Sequence, residues 1–279
     1  MGAYINNKVQ GKYHLEAHFV KNNQFNKEIV LYLSFAFGLP LICVLLTKKF
    51  DIFKSGLLNF ILYGIEAMTP TLSALSVTMI LTGRNGLSSF LHKLYTRSIG
   101  VGYILLGVLV PMLIYCATKL VVFLIGSTAP LIVDISSRKL LIILWALIAE
   151  ETGWRGFLQE RINEKFGYIA TPFLVGVIWA LWHYHFFWLG TMSIPVPLFA
   201  IGCIAESYGY YWITMKGKGN IIPASVWHFT GNLFITLFAI NPEYNGNSIL
   251  PYSLYLIFAT IMAVIVIINE HYRSAAEAR

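Results

Sequence analysis

Apolar residues gather in eight segments along the chain, near 29–47, 57–82, 100–126, 139–160, 169–189, 193–215, 221–239 and 250–269. Several reach the ~20 residues that a helix needs to cross hydrocarbon. The fourth and seventh carry polar side chains, but these fall on helical faces, so both are read as spans. Gly and Pro interrupt some segments, which neighbouring helices tolerate in a bundle. The pattern predicts an all-α membrane protein of about eight transmembrane helices. Between Arg84 and Arg97, Leu87, Phe90, Leu91 and Leu94 recur at helical spacing. That predicts a short amphipathic helix on the interface, with a solvated linker helix as the plainer alternative.

Composition agrees. Of 279 residues 57% are hydrophobic and only 12% charged, about half the charged share of a soluble domain. No composition break or repeat divides the chain. It reads as an N-terminal segment 1–28, one membrane domain 29–270 and a tail 271–279. The first 27 residues hold no apolar signal-peptide core. Met1-Gly2 begins like a myristoylation signal, but Asn6 stands where Ser or Thr is wanted. Cys43, Cys116 and Cys203 sit singly in apolar segments, without the spacing of a disulfide framework or sulfur metal site.

The net charge of +7 is read as basic loops of a membrane protein, not as nucleic-acid binding. Eight spans leave both termini on one side. That side collects thirteen Lys and Arg: Lys8, Lys12, Lys21, Lys27, Arg84, Lys93, Arg97, Arg161, Lys165, Lys216, Lys218, Arg273 and Arg279. The other side collects five: Lys48, Lys49, Lys54, Arg138 and Lys139. The positive-inside rule then predicts both termini in the cytoplasm.

An ionisable group at mid-bilayer costs about 2.5–3.5 kcal/mol even on the mildest scale, so such residues need a reason. The fourth segment contains Glu150-Glu151-Thr152-Gly153-Trp154-Arg155. Glu151 and Arg155 are four apart and can pair on one face. Glu150 points about 100° away and has no partner in its own segment. A lone carboxylate at depth protonates or faces a wet cavity, and the latter is how a general base is placed. A purely structural ion-pair network is the alternative. The fifth segment carries Trp179 and His183, and the seventh carries His228 and Asn232 on one face. At 1.5 Å per residue Glu150 and His228 lie roughly 12–15 Å from the terminus-side end, and His183 about 22 Å. On that arithmetic the cavity is expected to open towards the side of the termini.

Glu-Glu-x-x-x-Arg, aromatic-x-x-x-His and His-x-x-x-Asn, in this order on successive spans, resemble the type II CAAX prenyl endopeptidases. That group also includes the bacterial abortive-infection, bacteriocin-processing membrane proteins. The motifs cover roughly residues 140–240, and Trp179 stands where the family usually shows Phe. There the aromatic is expected to pack and not to react.

The chemistry follows from peptide hydrolysis, which needs an activated water and a stabilised oxyanion. Glu150 can take the water's proton, His183 can hold the water, and His228 with Asn232 can donate to the oxyanion. The resemblance implies the same roles, with Glu151 and Arg155 in support. It also implies an enzyme without a cofactor, cutting the C-terminal tripeptide from a prenylated protein or peptide at the bilayer. Gly153 and Gly156 allow close helix approach beside Glu150. Zinc on Glu150, His183 and His228 is the rival mechanism, although no His-Glu-x-x-His helix exists and Asn232 is a poor zinc ligand. A non-enzymatic bacteriocin-immunity or scaffold protein is the rival class, and a transporter a weaker one. His185 is read as structural or interfacial. Glu66 and Glu206 are candidates to line the cavity, and Lys119 to snorkel. Thr69, Thr71, Ser73, Ser76 and Thr78, beside Pro70, either line the cavity or bond helix to helix.

Overall fold

A computed structural model describes residues 2–127 and 129–277, with side chains for 25–127 and 129–276. Lys8, Lys12, Lys21 and Arg279 of the charge count, and Asn6, therefore lie outside the described side chains. Among the described residues every regular element is helical. The helices are α1 (Gly2–Lys49), α2 (Gly56–Tyr95), α3 (Val101–Leu124), α4 (Ser137–Ala149), α5 (Glu160–Trp182), α6 (Tyr184–Trp188), α7 (Val196–Lys216), α8 (Ile222–Leu237) and α9 (Leu250–Glu277). A π-helical stretch, Thr152–Gln159, joins α4 to α5.

All eight apolar segments are helical. Five stretches have the length and apolarity of membrane spans: Phe25–Lys49, Gly56–Tyr95, Val101–Leu124, Ser137–Trp188 and Leu250–Ala276. The fourth covers two of the segments read from sequence, 139–160 and 169–189. Helix α8, at 16 residues, is shorter than the ~20 that cross hydrocarbon. Lipid-facing positions are apolar: Val101, Leu105, Leu113, Leu120 and Phe123 of α3 are all exposed. The chain is an all-helical membrane protein.

Two glycines turn the chain where one long helix would otherwise run on. Gly83 in α2 (φ 68°) and Gly167 in α5 (φ 68°) adopt left-handed backbone, which costs a side-chain-bearing residue roughly 1–2 kcal/mol. Beyond Gly83, the stretch Arg84–Tyr95 is the amphipathic helix read from sequence, but its apolar face turns to protein and not to lipid. Phe90 and Leu94 are buried in the core, and Leu94 packs on Gly156, where a Cβ would come within 2.6 Å of Leu94 Cδ1. Core contacts won because the helix is tied down at its end: the Ile221 N–H donates to Leu94 O (3.0 Å), Lys93 pairs with Glu160, and Asn220 Nδ2 donates to Arg97 O (2.9 Å).

Lipid supplies no hydrophobic drive between helices, so close packing and hydrogen bonds hold the bundle. A Cβ on Gly107 of α3 would lie 2.6 Å from Pro223 O of α8, and one on Gly176 of α5 would lie 2.6 Å from Ile204 Cα of α7. The hydroxyls of α2 serve this packing and do not form a polar cavity wall. Pro70 has no N–H for the Glu66 carbonyl, and Thr69 Oγ1 donates to it instead (2.8 Å). Thr71 Oγ1 donates to Ile148 O, Ser73 Oγ to Thr69 O, and Trp182 Nε1 to Thr69 Oγ1. Ser76 is exposed.

Candidate active site

Glu150 stands where α4 ends. Its backbone (φ −122°, ψ −39°) leaves the helix, and Gly153 N and Trp154 N both donate to its carbonyl oxygen at 2.9 and 3.0 Å. The helix widens here because α2 presses against it. A Cβ on Gly153 would meet Pro70 C and O at 2.4 Å, so only glycine permits this approach. Widened turns of this kind recur at functional sites.

The Glu150 carboxylate is buried and divided in its partners. Oε2 accepts from Trp154 Nε1 (3.1 Å) and Trp179 Nε1 (2.8 Å). Oε1 lies 3.9 Å from His228 Nε2, beyond a direct hydrogen bond. Two readings from sequence are corrected here. Glu150 does have a partner in its own segment, Trp154, and Trp179 donates a hydrogen bond as well as packing. Both indoles dock on one oxygen and leave the other to the cavity.

His183 closes α5. Its Nδ1 lies 2.7 Å from Trp179 O; a carbonyl only accepts, so Nδ1 carries the proton and Nε2 presents a lone pair. Phe199 and Trp182 flank its ring with centroids at 4.7 and 4.8 Å. His185 is fixed the same way on Trp182 O (2.7 Å) and is fully buried, in keeping with a structural role. His228 of α8 donates from Nδ1 to Glu151 Oε1 (2.8 Å). Glu151 Oε2 lies 3.2 Å from Arg155 Nε. The Arg155 guanidinium stands over the rings of Tyr210 (4.1 Å) and Trp179 (4.8 Å). Glu151 thus links Arg155 to His228, a tie that i, i+4 spacing alone does not reveal.

Glu150, His183, His228 and Asn232 all line one cavity of about 710 Å³. Cys203, Glu206 and Tyr210 of α7 line it too. Sequence had singled out neither Cys203 nor Tyr210 for the site, and neither carries a motif signal. Glu206 is held by Trp227 Nε1 (2.8 Å) and the Tyr255 hydroxyl (2.9 Å). Glu66 is buried away from this wall. Lys119 bonds the carbonyls of Pro130 and Phe238. Among the described residues no group of three His, Cys, Asp or Glu donors is arranged to hold a metal ion.

Lys139, Thr191, Asn241 and Glu243, from the connections at the helix ends away from the termini, also line the cavity. Thr191 and Glu243 are exposed.

Residues 135–234 match the family model of the type II CAAX prenyl endopeptidases, Rce1-like. That stretch of the chain is similar to the family. All four cavity residues, with Glu151 and Arg155, fall inside it. A relative named CAAX prenyl protease 2, from Methanococcus maripaludis, is 27% identical over 113 residues. That alignment covers 37% of this chain and 42% of the relative, so it spans less than half of the relative's length. The matched stretch comprises α4, the π-helical stretch, α5 to α7 and most of α8. Helix α2, which supplies Pro70 against Gly153, lies outside it.

Proposed function

We propose that this protein is an intramembrane endopeptidase in which Glu150 activates a water against a peptide carbonyl. The observation that carries this reading is Glu150 Oε1 facing His228 Nε2 across 3.9 Å, in a cavity that His183 and Asn232 also line. Contacts at 3.9 Å invite a bridging water. With Oε2 taken by two indoles, Oε1 is the oxygen that receives the proton and then gives it to the amine nitrogen as the C–N bond breaks. The His183 Nε2 lone pair accepts a hydrogen bond from the same water. In this scheme His228 carries both ring protons: Nδ1–H donates to Glu151, and Nε2–H donates, with the Asn232 amide, to the carbonyl oxygen as charge develops there. Arg155 and Glu151 position His228. The scheme draws on no metal ion, and it treats residues 29–270 as one protease domain flanked by 1–28 and 271–279.

The family and the relative both have CAAX prenyl proteolysis in their names, and the walls of the cavity favour a lipid-modified substrate. Ile61 and Ile65 of α2 and Leu141 and Trp145 of α4 line the cavity while remaining exposed on the outside of the bundle. An apolar chain can leave sideways between these helices into lipid. We take the substrate class to be a peptide C-terminus bearing such a chain.

The test is Glu150→Gln on a farnesylated C-terminal peptide in detergent. The two indole N–H groups fix the glutamine: its oxygen replaces Oε2 and its amide nitrogen, which cannot take a proton, replaces Oε1. The fold is expected to survive while turnover falls by about 10²–10⁴, the usual worth of a general base. A rate equal to wild type refutes the assignment.

A further inference from the structure

Glu206 of α7 is a second carboxylate on the cavity wall, and the scheme above gives it no part. It is 7% exposed, and both oxygens are engaged: Oε2 accepts from Trp227 Nε1 (2.8 Å) and Oε1 from the Tyr255 hydroxyl (2.9 Å). Both donors are neutral. Burying a carboxylate on neutral partners is costly, and the two bonds lead to what it holds in place.

The first bond leads to His228. Trp227 is the residue before it, on α8. Glu206 and Gly209 lie three apart on one face of α7, and both meet this indole. A Cβ on Gly209 would come within 2.7 Å of Trp227 Cζ2, so the ring rests directly on the α7 backbone. The second bond leads to Asn232. Tyr255 of α9 stacks on Tyr115 of α3, with ring centroids 5.0 Å apart and planes 7° apart. The Tyr115 hydroxyl lies against Gly231, the residue before Asn232: a Cβ there would be 3.8 Å from it. One carboxylate thus reaches the residue before each proposed oxyanion donor.

Holding Trp227 and Gly231 fixes how far α8 is turned about its own axis. Successive residues stand about 100° apart on a helix, so the same turn aims His228 and Asn232. A side-chain tip about 5–6 Å from the axis swings about 1 Å for a turn of roughly 10°. A misplacement of about 1 Å can cost on the order of a hundredfold in rate. The Glu151 bond holds the His228 ring, but it does not fix Asn232 a turn further on.

We propose that Glu206 is a positioning residue for the oxyanion donors. It sets the rotation of α8 through Trp227 and, by way of Tyr255 and Tyr115, through Gly231, so that His228 and Asn232 address one oxygen. The inference rests on the peptidase reading for the word oxyanion, and on these contacts for the clamp.

The test compares Glu206→Leu, Glu206→Gln and Trp227→Phe in the full chain in detergent, on the farnesylated peptide. Leucine removes both bonds. Phenylalanine removes only the Trp227 N–H and keeps a ring in the pocket. Glutamine keeps both bonds without the charge: its oxygen accepts from Trp227, and its amide donates to the Tyr255 hydroxyl. Per folded molecule, Glu206→Leu is expected to lower kcat by about 10² with KM little changed. Trp227→Phe is expected to fall in the same direction, and Glu206→Gln to recover most of the rate. A second readout needs no turnover: the imidazole nitrogen resonances of His228, assigned by their loss in His228→Asn. They are expected to move in Glu206→Leu and Trp227→Phe and to stay in Glu206→Gln. Wild-type kcat in Glu206→Leu overturns the proposal. So does a raised KM at constant kcat, which would make Glu206 a substrate contact. Glu206→Gln as slow as Glu206→Leu overturns it too, since charge and not the clamp would then matter. If wild type does not cleave the peptide, the peptidase reading falls, and the resonances still decide the clamp: unmoved in Glu206→Leu and Trp227→Phe, they overturn it.

Discussion

Replacing Glu151 by Gln tests the buried knot behind the site, because it changes charge and almost nothing else. Glu151 and Arg155 are each 1% exposed, and their ion pair lies at 3.2 Å. Removing one partner of a buried pair costs about 3–5 kcal/mol, since the other charge is left in a low dielectric. Arg155 keeps the rings of Tyr210 and Trp179, a contact worth about 2 kcal/mol when desolvated, so the lower end of that range is expected. A loss of about 3 kcal/mol lowers the folding equilibrium roughly a hundredfold. Arg155→Met should cost a similar amount by stranding the carboxylate. The double variant Glu151→Gln, Arg155→Met should cost clearly less than the two together, with a coupling of about 1–3 kcal/mol. The assay is reversible unfolding in mixed micelles, followed by the fluorescence of Trp154 and Trp179 beside the knot. Turnover per folded molecule adds a second readout. Glu151 also holds His228 Nδ1 at 2.8 Å, so Glu151→Gln should slow turnover, whereas Arg155→Met keeps that bond and should slow it less. Additivity within about 0.5 kcal/mol would refute the coupling. Equal turnover per folded molecule in wild type and Glu151→Gln would refute the link to His228.

Asn232→Ala should lower kcat by about 10²–10³ and change KM little, as expected of a donor that acts once charge has formed on the carbonyl oxygen. A raised KM at constant kcat would instead make Asn232 a ground-state contact. Activity should survive exhaustive chelation; stoichiometric zinc in active protein, with loss on removal and recovery on return, would replace the proposed scheme by a zinc one.

The helical architecture was legible because lipid imposes it. A segment such as 100–126, nearly all apolar, can satisfy its backbone only as a helix. The structure duly has α3 at Val101–Leu124, with its outer face exposed and apolar. The residues around the cavity were legible for a related reason: Glu150, His183, His228 and Asn232 are polar where polarity is costly, and three such segments have to face one another to share that cost. Spacing was less informative about partners. The i, i+4 step that pairs Glu151 with Arg155 equally joins Glu150 to Trp154, yet an indole attracts no notice in an apolar run. The Glu151–His228 bond and the Trp179–Glu150 bond cross between helices, where a single sequence carries no register.

The short helix beyond Gly83 was misplaced for a different reason. Its Leu87, Phe90, Leu91 and Leu94 were read as an interfacial stripe, because hydrophobic spacing does not say what a stripe faces. Phe90 and Leu94 are buried, Leu94 sits against Gly156, and the Ile221 N–H donates to Leu94 O. An amphipathic stripe beside a buried carboxylate is thus as much a candidate cover for the site as a membrane anchor, and only its packing partner tells the two apart.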